Sequence, residues 1–143
     1  MKTDLIPDTG VQAATGYAGD IAPALAWQWL QSGHAVLVDV RTDAEREWVG
    51  FVPGAVPLAW KQWPGMDLNA GFDEALKAAV PAGAKVVLLC RSGVRSIAAA
   101  RRATELGMEA YNILEGFEGT ADAQAQRGHL GGWRMRGLPW MQK

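Results

Sequence analysis

The sequence predicts an α/β domain in which a parallel sheet carries helices on both faces. Three observations lead to this. Residues 35–40 and 85–89 each contain a short, continuous apolar run, as expected of strands covered on both sides. These runs and shorter ones near 56–58 and 110–114 alternate with segments of helical period, so successive strands are joined by right-handed crossovers. Gly33, Pro81, Gly83 and Gly107 fall at the changes from one pattern to the next.

The elements follow in order. Residues 1–19 mix Gly, Ala, Thr and Asp without periodicity and read as a loosely held arm before a domain of residues 20–143. Pro23 suits the first turn of a helix reaching about Gln31, with Leu25, Ala26, Trp29 and Leu30 as its apolar stripe. The strand over 35–40 ends in Asp39 and Arg41, at the sheet edge where open α/β folds bind ligands. Two uses of that pair are open: a salt bridge that ties the strand end, or support for a nearby site. Thr42-Asp43-Ala44-Glu45 has the form of a capping box, so a short helix over 43–48 should follow.

Pro53, Gly54 and Pro57 mark a turn and a very short strand. Trp60-Lys61-Gln62-Trp63-Pro64-Gly65 is an aromatic, partly polar loop whose Trp60 and Trp63 either wall a pocket or cover the core edge. Residues 72–80 read as a helix with Phe72, Leu76, Ala79 and Val80 on one side and an Asp73–Lys77 pair at i,i+4. Pro81 ends it. The alanine-rich stretch 97–106 is a helix capped by Ser96, with an exposed Arg101–Glu105 pair and Gly107 as its stop. Residues 109–114 form the last strand. Residues 116–132 are rich in Gly, Ala and Gln, and 120–126 carry no core-facing stripe, so the segment is a surface excursion or a flap over the loop at Cys90.

The chain is organised around Cys90, its only cysteine, delivered by the apolar run 86–89 into the loop Arg91-Ser92-Gly93-Val94-Arg95-Ser96. A strand, a short loop and a helix N-terminus gather backbone N–H groups around whatever the loop holds. Helix N-termini and neighbouring arginines favour thiolate, the nucleophilic form of cysteine. A lone cysteine at a strand end usually just packs. Two Arg, a Gly and a helix start within six residues reverse that expectation, and Cys90 reads as a nucleophile with Arg91 and Arg95 placed for an anion.

Cys90-Arg91-Ser92-Gly93-Val94-Arg95-Ser96 resembles the active-site loop of the rhodanese (sulfurtransferase) superfamily. Asp39-Val40-Arg41 is similar to that family's first signature, and Gly50-Phe51-Val52-Pro53-Gly54-Ala55 to its second, with Phe51 where histidine is usual. Gly132-Trp133 and Gly137-Leu138-Pro139 are similar to its usual ending. The resemblance covers roughly residues 20–141, in the family's order. It implies a rhodanese-like domain with a sheet of about five strands, the fifth lying just before the first helix. It also implies an insertion near 116–132, and places the loop bearing Trp60 at the mouth of the site.

The activity implied is that of a thiosulfate sulfurtransferase. Cys90 is the catalytic residue, and Arg91, Ser92, Gly93, Val94, Arg95 and Ser96 bind the substrate. Asp39, Arg41 and Trp60 are candidates for the pocket and its surroundings. A sulfane sulfur would pass from thiosulfate or a persulfide donor, through a Cys90 persulfide, to cyanide, a small thiol or a protein thiol, without a cofactor. Two other functions are weighed beside this one. Rhodanese-like domains also serve as protein-binding or sulfur-relay modules, though such modules often lack the loop cysteine. Cysteine-based phosphatases and arsenate reductases use a similar cradle, but their loops hold one residue more than the four between Cys90 and Arg95.

Composition adds bounds. With 143 residues, one domain is expected. A net charge of -1 offers no electrostatic reason for a nucleic-acid partner. The single cysteine permits no internal disulfide. There is neither a signal-peptide pattern nor an apolar run of membrane-spanning length, which makes cytoplasm the expected location and leaves no membrane partner. With His34 and His129 far apart, no metal site is expected.

Overall fold

The computed structural model describes residues 10–143. Seven strands and four helices follow one another as β1 (Gly19–Ile21), α1 (Pro23–Gln31), β2 (Ala35–Asp39), α2 (Asp43–Trp48), β3 (Val56–Pro57), β4 (Lys61–Gln62), β5 (Asp67–Leu68), α3 (Phe72–Ala79), β6 (Lys85–Leu89), α4 (Arg95–Glu105) and β7 (Glu109–Ile113). Five of the strands form one sheet in the order β1-β7-β6-β2-β3, and every pairing in it is parallel. The strand that the sequence left unassigned is β1, just before α1. It lies at the sheet edge beside β7.

Alternation along β6 builds two cores. Val86 and Leu88 face a cluster with Phe72, Leu76, Ala99 and Ala103, so α3 and α4 cover that side. Val87 and Leu89 face a second cluster with Ala26, Trp29, Tyr111, Phe117 and Trp133, formed by α1 and the C-terminal segment. These four of the five β6 side chains are fully buried, and each stabilises the fold by about 2 kcal/mol. The alanines of α4 let that helix sit close to the sheet. β6 runs centrally between β7 and β2, so its C-terminal end is held on both sides.

Several expectations change. Residues 1–9 of the expected arm lie outside the described residues. From Gln12 onward the chain is tied: Gln12 and Asp20 exchange two backbone hydrogen bonds of 2.9 Å, which cover the otherwise open edge of β1. The aromatic loop contains a small antiparallel hairpin, β4–β5, that period alone did not reveal. Asp73 binds Arg102 of α4 rather than Lys77, which instead meets Glu74. Arg102, not Arg101, reaches Glu105, while Arg101 donates to the Thr15 carbonyl. A helix surface offers several partners at similar spacing, and the neighbouring helix or loop decides among them. Among the described residues, no helix is long and apolar enough to cross a membrane.

Candidate active site

Cys90 directly follows β6, and its side chain is wholly removed from solvent. The Gly93 N–H donates to Cys90 Sγ at 3.1 Å. Gly93 has φ +96°, and a Cβ there would meet the Glu115 nitrogen at 3.3 Å, so glycine lets the loop fold back over the sulfur. Ser96 Oγ lies 3.2 Å from Cys90 Sγ. Its hydroxyl also donates to Asn112 Oδ1 of β7, and Asn112 Nδ2 donates to Asp20 Oδ1 at 2.9 Å. The thiol therefore ends a buried polar chain that crosses from α4 to β7 and β1.

This corrects the role assigned to Ser96. α4 begins at Arg95, Val94 occupies the cap position, and no side chain caps the helix. Ser96 lies in the first turn, fully buried, bonded to the strand beneath rather than to its own helix. Among the described residues, the N–H groups of Ser92 and Val94 meet no protein acceptor. Of the first-turn amides of α4, the Ile97 N–H turns back to the Val94 carbonyl at 3.2 Å, while those of Arg95 and Ser96 have no acceptor within the helix.

The two arginines of the loop differ. Arg91 is exposed and makes no ion pair among the described residues. Arg95 donates from Nη1 and Nη2 to the two carboxylate oxygens of Glu45, each at 2.7 Å. Glu45 belongs to the capping box foreseen in the sequence: the Glu45 N–H donates to Thr42 Oγ1, while the Thr42 N–H donates to Glu45 Oε1. Burial disfavours a charged Glu45. The hydrogen bonds and charge of Arg95, with those of Thr42, outweigh it and hold the carboxyl down at about 2. Arg95 is raised in turn, first by its bond to Glu45. It braces the loop against α2 and is not a free cation.

A cavity of about 1060 Å³ opens at the loop. Cys90, Arg91, Ser92, Val94 and Arg95 line it, together with Glu45 and Trp48 of α2, Lys61, Trp63 and Met66 of the hairpin region, and Glu118 and Arg127. Of the two tryptophans singled out in the aromatic loop, Trp63 lines this cavity. Trp60 instead packs edge-on against Phe72, with ring centroids 4.9 Å apart. Asp39 and Arg41 form a fully buried pair at 2.7 Å. Arg41 also donates to the Gly50 carbonyl at 2.8 Å and places its guanidinium 4.2 Å from the centre of the Phe117 ring. This pair ties β2 to the 50–52 turn and the C-terminal segment, outside the lining of the Cys90 cavity.

The segment after β7 is not remote from the site. The Phe117 N–H donates to the Cys90 carbonyl at 2.8 Å, and the Glu118 N–H to the Arg91 carbonyl at 2.9 Å. Gly116 makes this approach possible. A Cβ there would lie 2.5 Å from the Cys90 oxygen and the Arg91 carbonyl carbon, at φ +62°. Glycine richness was the sequence signal for this close packing. Arg127 and Lys61 were marked only as members of the possible flap and of the aromatic loop, and Glu45 only as a capping-box residue, because nothing local marks which side chain will meet a loop far away in the chain.

Comparison with known proteins agrees with this geometry. Residues 22–123 match the family model described as rhodanese-like domain. An uncharacterized protein of Rickettsia conorii is 34% identical over 116 residues, spanning 78% of this chain and 86% of its own length. The thiosulfate sulfurtransferase GlpE of Actinobacillus succinogenes is 30% identical over 121 residues, 84% of this chain and 87% of that protein. The crystal structure of Rv0390 from M. tuberculosis superposes with a TM-score of 0.82 at 45% identity, covering 89% of this chain and 99% of that one. With a five-stranded parallel sheet, a cysteine loop at its C-terminal edge and these relatives, the chain belongs to the rhodanese-like family.

Proposed function

We propose that this protein is a sulfurtransferase that carries a sulfane sulfur on Cys90. The observation that carries the reading is the placement of the chain's only cysteine. Its sulfur accepts an N–H at 3.1 Å, in a loop that opens on a cavity and leads into a helix N-terminus. The similarity to a thiosulfate sulfurtransferase points the same way.

In the first half-reaction the Cys90 thiolate attacks the outer sulfur of thiosulfate. The sulfur–sulfur bond of the donor breaks, and its electron pair leaves with sulfite. The backbone N–H groups of the loop and the exposed Arg91 stabilise the charge on the donor and on the persulfide that forms. In the second half-reaction cyanide or a thiolate attacks the outer sulfur of the persulfide, and the electron pair returns to Cys90 Sγ. Neither half needs a cofactor or an external oxidant. Arg95 acts by holding the loop in shape through Glu45.

Intact-mass measurement after incubation with thiosulfate tests the reading. A gain of one sulfur atom, reversed by cyanide or a thiol and absent in Cys90→Ser, is the expected result. An unchanged mass together with no thiocyanate formation overturns it.

A further inference from the structure

The Cys90 cavity is larger than the sulfur chemistry alone requires. At about 1060 Å³ it matches the upper end of sites that enclose one whole organic ligand, whereas thiosulfate and cyanide are each a few atoms. Its lining also carries features that the transfer of one sulfur atom does not use. Trp48 and Trp63 stand at its rim, 77% and 65% exposed. Lys61, Arg91 and Arg127 form no ion pair among the described residues, against one unpaired carboxylate in the lining, Glu118.

Arg127 is held in place. Its Nη1 donates to the Gly119 carbonyl at 2.7 Å, and the next residue, Gly128, donates its N–H to the Glu118 carbonyl at 2.9 Å. Glu118 is in turn bonded through its own N–H to the Arg91 carbonyl. The guanidinium therefore sits on a short backbone ladder that begins at the Cys90 loop, with its remaining donors free of protein partners among the described residues.

We infer that the sulfur acceptor is a small organic thiol bearing carboxylate groups, and that Arg127 determines its selection. This rests on the sulfurtransferase reading given above. A carboxylate of the acceptor bonds to Arg127 and Lys61, which suits the planar, multiply donating guanidinium. The body of the acceptor lies against Trp48 and Trp63, whose indoles offer large apolar faces. Held so, the acceptor thiolate attacks the outer sulfur of the Cys90 persulfide. The bond to Cys90 Sγ breaks with its electron pair returning to that atom, and the product leaves as an organic persulfide anion. Arg127 touches neither sulfur. It acts on the affinity for the acceptor.

Two measurements with the full chain test this. In the first, persulfide-loaded protein is discharged by glutathione, 2-mercaptoethanol or cysteamine, which are anionic, neutral and cationic probes, with rates compared per thiolate. Glutathione is expected to have the lowest KM. Arg127→Gln should raise its KM about tenfold more than that for 2-mercaptoethanol, the worth of one charge-assisted hydrogen bond. Arg127→Lys should recover part of the difference, and Lys61→Gln should shift it in the same direction. Equal KM values for the three thiols in the native protein overturn the inference. So does an Arg127→Gln variant that affects all three alike, or a protein thiol such as reduced thioredoxin that works at far lower concentration than any of them.

In the second measurement, S-methylglutathione, which cannot accept sulfur, is titrated into unloaded protein while tryptophan fluorescence is followed. Saturable binding, weakened about tenfold by Arg127→Gln, is expected. Its absence overturns the inference even where the persulfide forms. Failure to load sulfur from thiosulfate counts against the sulfurtransferase reading instead, and the titration still decides what the cavity binds.

Discussion

Arg95 and Glu45, fifty positions apart in the chain, face each other through two parallel hydrogen bonds of 2.7 Å. The first residue of α4 is thereby joined to the capping box of α2, and the Cys90 loop is held between two helix N-termini. Anchoring a loop arginine in this way leaves Arg91 as the arginine of the loop without an ion pair among the described residues, and makes the loop's shape depend on a carboxylate in another element.

Glu45→Gln should therefore lower both stability and sulfur transfer. The variant weakens two charge-assisted bonds at a partly buried site, a loss of about 2 kcal/mol. Urea unfolding measures the first effect and thiocyanate formation the second. A variant as stable and as active as the native protein would show that the pair braces nothing.

The same pair should make stability depend on pH. Glu45 titrates at about 2 in the folded chain against an ordinary value of 4.5. Burial opposes its ionisation, and Arg95 and Thr42 outweigh burial. Because the folded value is depressed, the contribution is fully present above about 4.5 and is lost as pH falls toward about 2. The stability difference between native protein and Glu45→Gln should shrink across that window. A difference that stays constant there contradicts the assignment.

Cys90→Ser should abolish sulfur transfer with the fold retained. A serine hydroxyl is a much weaker nucleophile and forms no persulfide. Thiosulfate:cyanide activity surviving in the purified variant would show that the sulfur passes elsewhere.

Gly116→Ala should damage the site, whereas Gly54→Ala should only cost stability. Both glycines have positive φ, but a Cβ at Gly54 meets nothing within 4 Å, while at Gly116 it would lie 2.5 Å from the Cys90 carbonyl oxygen. Gly54→Ala is expected to cost about 1 kcal/mol, the strain of a left-handed alanine. Gly116→Ala should cost about 3 kcal/mol and reduce sulfur loading, since the backbone beneath Cys90 must shift. Thermal melts with intact-mass assays on both variants separate strain from displacement. Equal effects on loading would contradict the close-approach argument.

Ser96 shows where local reading stops. Beside an alanine-rich stretch it has the chemistry of a helix cap, and nothing nearby in sequence argues otherwise. It becomes part of the Cys90 network because β7 places Asn112 beneath it. Asp73 gives the same lesson: Lys77 lies at the right helical spacing, but Arg102 arrives from α4 with two bonds. Trp60 and Trp63 are only three positions apart, yet one packs on Phe72 and the other lines the cavity.

The sequence by itself determined the alternation of strands and helices, the burial of the 85–89 strand on both faces, the capping box at Thr42 and the cysteine loop that follows β6. These depend on period, on turn residues and on neighbours within a few positions, so the chain states them locally. Only the tertiary structure decided what surrounds the sulfur. It brought Glu45 to Arg95, Asn112 to Ser96, and Arg127 to the cavity at Cys90. Those contacts join residues far apart in the chain. Each is chosen by which strand edge and helix end the folded sheet brings together, and hydrophobic period carries no record of that choice.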